Sequence, residues 1–524
     1  MRVGIVGAGC AGLVSLKACN EEGFDVVCYE KSNEIAGLWS PRPPVYGQSH
    51  GYNHLVTNTS RDMITLSDHP YPTDCPTFLT KNMVYEYLSS YTEKFELMQH
   101  VKLEHIVHKL QKTEDHETTG CWEMIVEDLN SDEGRKVERF DRIMLCTGLY
   151  SYPFIPKLPN ADNYNGLISH SHYYTCAENY KAGEKTLVVG NRSSGLDIAT
   201  DLAKRGSQPV YLSCRSGVLV LTRDYDSPYD LNLSLFAATI AIWAPRLFTR
   251  LVFRKIGPTL DRFKKFRNWP EPTPASLGAL SDEIYGCLEQ GTVKCVANIK
   301  EFTENGVILI DGTELEVDRV VMATGYELTF PFLSKDILDP ANWCLYNKIW
   351  PVHLHKNTFA AIGMVRTPGS SMPLFELQAR WAVQIFKGEE TLPSPQQMKA
   401  DTPVFASGDP HLLIQQLHVN HLPYEMKMAG CAGCYPGFRF LLRHPLIWLI
   451  IYFGAAYPPI FRLTGPGKSA DAWHMIEASI SRATQAMNAE DRKKKLLKLF
   501  LFGLLGFALF TSYGDWILES LTSA

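Results

Sequence analysis

Short apolar runs and amphipathic stretches take turns along the first 40 residues of the chain. Residues 3–6 read as a buried strand, residues 11–21 as a helix, and residues 26–29 as a second strand that stops at Glu30. Residues 40–80 are rich in turn formers. Helical periodicity covers residues 81–95, and residues 101–145 alternate as strands around a polar turn at 130–135. Pro153, Pro156 and Pro159 mark a change of domain. The strand–helix–strand order then recurs at residues 186–189, 194–204 and 210–213. Strand patterns return at 307–310 and 319–323, after which the chain is predicted to rejoin the first domain. The expected fold class is α/β, with two Rossmann-like dinucleotide-binding domains, the second inserted in the first.

Two regions stand outside that plan. Residues 231–269 are apolar and basic together, with Arg246, Arg250 and Arg254 at helical spacing beside Leu247, Phe248, Leu251 and Phe253. A helix packed on the core and a helix lying in a membrane interface both fit this pattern. Residues 446–453 are strongly apolar, and the basic run Arg492, Lys493, Lys494 and Lys495 leads into the apolar residues 496–510, broken only by Lys498. Extended through Ile517, this segment approaches the roughly 20 residues of a spanning helix, although Asp515 shortens its clean core. It predicts a C-terminal membrane anchor, with spanning and interfacial placements both open. The expected divisions are residues 1–155, 156–329 with a variable, membrane-contacting insertion at 226–280, 330–440, a membrane-proximal 441–495, and the anchor at 496–518.

Composition narrows the partners. A net charge of -5 argues against nucleic acid. The 13 cysteines are odd in number and irregularly spaced, as free thiols in a reducing compartment would be. Cys431 and Cys434 form a CxxC without a second ligand pair, so no metal is expected. No signal peptide is expected, because residue 3 already belongs to a strand, and the sequon at Asn58 should therefore stay unglycosylated. Homo-oligomerisation is left open.

The chemistry starts in VGIVGAGCAGL, where Gly7, Ala8, Gly9, Cys10, Ala11 and Gly12 form a G-x-G-x-x-G turn between a strand and a helix. Gly7 permits the tight turn, Gly9 a close approach of pyrophosphate, and Gly12 close helix–strand packing. Glu30 ends the next strand, where a carboxylate accepts both ribose hydroxyls and repels a 2′-phosphate, so this loop is assigned to FAD. The second loop, VVGNRSSGLDIA, keeps Gly190 and Gly195 but has Arg192 where the middle glycine should stand. No acid ends its following strand. Arg215 does, with Arg223 nearby, which suits the 2′-phosphate of NADPH. Arg192 either crowds the pyrophosphate or swings out to pair with it. The first alternative predicts tighter NADP+ binding in Arg192→Gly. Two further runs, Cys146-Thr147-Gly148 and Ala323-Thr324-Gly325, each follow an apolar strand.

Together these features resemble the flavin-containing monooxygenases, class B flavoprotein enzymes, over almost the whole chain. The resemblance is carried by the two glycine loops and by Tyr164, Gly166, His170 and Tyr174. GLW at 37–39, VTNTS at 56–60, MATGYE at 322–327 and ELQARW at 376–381 complete it. Tyr174 stands where dedicated Baeyer–Villiger enzymes carry Trp. The resemblance implies an N,N-dimethylaniline monooxygenase-like enzyme. NADPH reduces FAD, O2 is trapped as a flavin C4a-hydroperoxide, and a soft amine or sulfide is oxygenated. Ketone oxygenation, an uncoupled oxidase releasing H2O2, and a flavin-binding scaffold are the alternatives. The same resemblance gives Asn58 the catalytic role, has Leu38, Trp39 and Thr59 beside the cofactor, and turns Thr57, Ser194, Gly195, Leu196 and Asp197 toward NADP. Gln378 is expected to touch the flavin, and His170 to be a structural hydrogen-bonding residue. The hydrophobic tail is similar to that of microsomal animal members, which implies the endoplasmic reticulum membrane with the catalytic domains facing the cytosol.

Overall fold

The computed structural model describes residues 1–486 apart from 206, 208, 224–229, 231–232, 267, 272–277 and 403–409. The expected anchor at 496–518 lies outside the described residues. Among the described residues no helix is long and apolar enough to cross a membrane.

Two parallel five-stranded sheets carry the architecture. The first runs in the order Phe359–Ala361, Arg142–Leu145, Arg2–Val6, Asp25–Tyr29 and Val101–Lys102. Its central strand, RVGIV, is apolar almost throughout because both faces are covered. The following helix, Cys10–Glu21, is buried from Cys10 to Cys19, packed between the sheet and the helix Met372–Lys387. Even Lys17 is buried there, its ammonium reaching Glu21 at 2.6 Å. The second sheet runs Val293–Val296, Val210–Ser213, Thr186–Val189, Arg319–Met322 and Leu167–His170. All its strands fall in sequence between Leu145 and Phe359 of the first sheet. The chain leaves and returns through paired short strands, Tyr152–Pro153 against Tyr326–Glu327.

The run 101–145 holds the antiparallel strands His105–Lys112, Trp122–Asp128 and Arg135–Phe140, with Trp122, Met124 and Val126 turned into the core. A single helical turn, His116–Thr119, separates the first two. Its cause is local: His116 folds inward, its ring 4.6 Å from Trp122 and its Nδ1 donating to Cys121 O at 2.7 Å.

Compactness divides the chain into a unit of residues 1–58, 78–223 and 253–420 and another of 59–77, 224–252 and 421–524. The first holds both parallel sheets. The second is helical among its described residues, with Leu235–Trp243, His421–Cys431 and Pro445–Phe453 among its helices. Polar anchors fix its core: Asp230 accepts from Ser60 N at 2.6 Å, and Arg462 meets Ser67 Oγ at 2.6 Å and Asp68 at 2.8 Å.

A Cβ added at Gly195 would lie 1.8 Å from Gly190 O, which is backbone and cannot step aside. Gly195→Ala is expected to lose about 3 kcal/mol or more of stability, read as a lowered thermal midpoint. An unchanged midpoint would mean that the helix is not held this close to the strand.

Candidate cofactor-binding and active site

Strand Arg2–Val6 feeds directly into the first glycine loop, where Gly7 takes φ +100°. A Cβ on Gly7 would meet Cys146 O at 2.7 Å, and one on Gly12 would meet Gly7 O at 1.8 Å. The loop is thus pressed between its own helix and the Cys146-Thr147-Gly148 turn. Gly9 is extended and packs on Gly37, whose added Cβ would lie 3.2 Å from Gly9 Cα. Ala36 N donates to Ala8 O at 2.9 Å, which brings the short Gly37–Trp39 helix, with half-buried Leu38 and Trp39, onto the loop. Cys10 and Ala11 are buried in the helix, and burial pushes the Cys10 thiol far above its ordinary range, so it is inert.

Glu30 is buried at the strand end, with Oε2 accepting the Ala8 N–H at 2.8 Å and Oε1 accepting Ser32 N at 3.0 Å and Ser32 Oγ at 2.8 Å. Arg42 lies 3.9 Å from Oε1, and its buried Nη1 has no hydrogen-bond partner among the described residues. Thr147 Oγ1, behind Gly7, is likewise buried without one. Unspent donors beside a strand-end acid, above a floor of two glycines, fit a dinucleotide with a free ribose diol and an anionic pyrophosphate. The residues present therefore fit FAD.

The second loop repeats the close backbone contacts of the first. Gly190 takes φ +109°, its added Cβ would meet Ala323 O at 2.6 Å, and the Gly195 Cβ would meet Gly190 O at 1.8 Å. Arg192 adopts φ -87°, ψ -177°, beside φ -70°, ψ -178° at Gly9. Ser194 is half-buried in the first turn of Ser193–Lys204, and Arg215 is exposed beyond the end of Val210–Ser213.

Several side chains of the expected site bond or pack within the protein. Leu196 is fully buried in the apolar core of the second sheet. Asp197 accepts a hydrogen bond from Tyr52 and so turns toward the 52–58 segment. Thr57 is buried, its Oγ1 accepting from Leu79 N at 2.9 Å, and it ties two segments together. Thr59 is also buried. Gln378 is fully buried, and its Oε1 accepts from Gly363 N at 2.9 Å; it fixes a turn whose glycine packs on Ala11. His170 donates from Nε2 to Gly325 O at 2.8 Å and accepts from His172 N at Nδ1 at 3.0 Å. Burial holds it down at about 4, so it is a neutral structural residue at the return crossing. Tyr164 donates to Val317 O at 2.8 Å, and Tyr174 donates to Asp201.

Asn58 is exposed, and Arg223 holds it. The Arg223 guanidinium donates to Asn58 Oδ1 at 2.8 Å, to Thr57 O at 3.0 Å and to Val56 O at 3.4 Å, while pairing with Asp282 at 3.1 Å. Arg223 is therefore committed to this segment and is not the free phosphate ligand its position suggested. Neither its clamp nor the Tyr52–Asp197 bond has a signal in the sequence, because each joins residues more than 100 apart.

Burial raises Asp197 to about 6, against the opposing pull of the Tyr52 hydrogen bond and the Arg223 charge. An acid whose native pKa lies above its unfolded value holds its proton longer in the folded state, so stability falls as pH rises from about 4 through about 6. Asp197→Asn keeps an acceptor for Tyr52, and its thermal midpoint should vary less than wild type across that window. Parallel pH profiles would contradict the assignment.

The chain is similar to known proteins over nearly its full length. The family profile described as "Flavin-binding monooxygenase-like" matches residues 1–513. Flavin-containing monooxygenase 3 of Macaca mulatta is 33% identical over 501 residues, covering 93% of both chains. Dimethylaniline monooxygenase [N-oxide-forming] 2 of Oryctolagus cuniculus is 32% identical over 512 residues, 94% of each. Among solved structures, S-allyl-L-cysteine S-oxygenase from Allium sativum has TM-score 0.59 at 21% identity, covering 92% of this chain and 98% of that one. Cyclohexanone monooxygenase from Rhodococcus sp. Phi1, bound to NADP+, has TM-score 0.58 at 19% identity, covering 82% and 96%.

Proposed function

The chain belongs to the flavin-binding monooxygenase-like family, and from that premise we propose that it oxygenates soft nucleophilic nitrogen or sulfur compounds. It is an FAD-dependent, NADPH-using monooxygenase, and O2 is its co-substrate. The observation that carries the finer reading is the Asn58 amide, with Oδ1 occupied by Arg223 and the two Nδ2 hydrogens unspent among the described residues. When bound, the flavin takes hydride from NADPH and activates O2. The protein's part is to hold and shield. Glu30 and Arg42 fix the ribose end, the Gly9–Gly37 contact keeps the floor low, and Arg223 presents Asn58. A carboxamide donates hydrogen bonds without releasing a proton, so it supports bound oxygen without acting as the acid that would discharge it as peroxide.

Purified protein given NADPH, O2 and thioanisole should form one sulfoxide per NADPH consumed. Peroxide alone, or lactone from a cyclic ketone with no sulfoxide, would overturn the reading. In Asn58→Leu, sulfoxide should fall about tenfold or more, with the NADPH oxidised appearing as H2O2.

The proposal extends to a membrane location, with the enzyme at the endoplasmic reticulum and its catalytic part facing the cytosol. The second unit presents Trp243 at 83% exposure, Leu446 at 76%, Leu442 at 63% and Leu247 at 50%, beside exposed Arg246 and Arg250. Helices Leu235–Trp243 and Pro445–Phe453 pack together through Phe236 and Phe453, ring centroids 5.1 Å apart, which leaves their outer residues uncovered. Large apolar side chains next to arginines suit the boundary of an anionic bilayer. A chain ending at residue 486 should float with phosphatidylserine-containing vesicles, and Trp243→Glu with Leu446→Glu should abolish flotation. Flotation that survives both changes would rule this surface out.

A further inference from the structure

Asn58 can turn two different edges to a ligand. One edge of a carboxamide accepts hydrogen bonds through Oδ1, and the other donates two through Nδ2. A guanidinium only donates, so the edge it meets must be Oδ1, and the donor edge is left facing away from it. The bond from Arg223 at 2.8 Å therefore sets the direction of the amide. Asn58 is exposed, and among the described residues its side chain makes no other hydrogen bond. Whatever holds Arg223 holds that choice.

The fold supplies the holder. Strands Leu219–Leu221 and Gly278–Leu280 run parallel, with Leu219 opposite Gly278 and Leu221 opposite Leu280. Ser281 N extends the pairing by donating to Leu221 O at 2.9 Å. Arg223 and Asp282 thus leave the same end of this small sheet together. Asp282 takes the arginine at two points: Oδ1 accepts the backbone N–H at 2.6 Å, and Oδ2 accepts from Nη1 at 3.1 Å. The other guanidinium nitrogens, Nε and Nη2, serve residues 56–58. One carboxylate therefore fixes both the root and the tip of a side chain that is otherwise rich in rotamers. The arginine side chain is 8% exposed and that of Asp282 28%, so salt screens the pair less than it would a surface pair. Glu283, the next acid, is spent on Lys204 and does not stand in for Asp282.

We propose that Asp282 is a positioning residue for oxygen transfer: by holding Arg223 it keeps the donor edge of Asn58 presented. The proposal rests on the role given to Asn58 above. Without the carboxylate the guanidinium is free to leave the segment. The amide can then turn over, offering an acceptor where bound oxygen needs a donor. Oxygen is then lost as peroxide, with NADPH, O2 and a proton leaving as NADP+ and H2O2. Reduction of the flavin is spared, because hydride transfer precedes the encounter with O2.

The test compares Asp282→Asn, Asp282→Glu and Arg223→Lys with wild type, each purified with FAD and given NADPH, O2 and thioanisole. The quantity read is H2O2 formed per NADPH oxidised, a ratio that does not depend on how much of the protein is folded. Asp282→Asn should raise it about fivefold or more. Arg223→Lys should do the same, because an ammonium lacks the fork that joins Asp282 to Asn58. Asp282→Glu keeps the charge and should restore much of the coupling. Anaerobic bleaching of the flavin by NADPH should still run to completion in Asp282→Asn, and in an Asn58→Leu background Asp282→Asn should add no further leak. A wild-type ratio in Asp282→Asn, lost bleaching there, or additive leakage in the double variant would overturn the positioning role alone. An Asn58→Leu protein that still couples NADPH to sulfoxide would overturn the reading of Asn58 beneath it.

Discussion

In both glycine loops a backbone carbonyl sits where a side chain would otherwise be. The carbonyls of Gly7 and Gly190 come to 1.8 Å from the Cβ positions of Gly12 and Gly195, an approach possible only because both are glycines. That contact sets how closely each helix follows its strand, and so where the helix N–H groups end up. Behind each loop stands a second carbonyl, Cys146 O or Ala323 O, at 2.7 and 2.6 Å from the Cβ positions of Gly7 and Gly190. The rest of the site follows from this wrap. Glu30 is placed by a strand end of the first sheet, and the Asn58 segment is held by Arg223.

The two loops share this backbone but differ in how they meet an anion. The first lines its approach with Gly9 and Gly37, so the protein recedes and the ligand comes in close. The second fills the same position with Arg192. A residue without a side chain in one loop and a charged one in the other stand at equivalent extended positions before the helix. The acid Glu30 ends the strand after the first loop, and the base Arg215 stands beyond the end of the strand after the second.

Most of this frame was legible in the sequence because it rests on local rules. Apolar strands, the glycine spacings, Glu30 and the two Thr-Gly turns each depend on neighbours a few residues away, and the helices begin within one residue of expectation. Side-chain direction was not legible. Leu196 and Asp197 share a helix turn with Ser194, yet one enters the core and the other bonds to Tyr52. Gln378 belongs to the expected segment but spends its oxygen on Gly363. Arg223 was read as a phosphate ligand from its distance along the chain. Its partners, Val56 through Asn58 and Asp282, come from segments that only the folded chain brings together.

The central claim is that one chain holds a flavin at its first glycine loop and delivers a reduced nicotinamide nucleotide to it from the second. Rapid anaerobic mixing of the oxidised flavoprotein with NADPH tests this most directly, by following the visible absorbance of the flavin. The account predicts that the oxidised band bleaches fully, at a rate that saturates with NADPH concentration. An oxidised spectrum that persists in excess NADPH would contradict it.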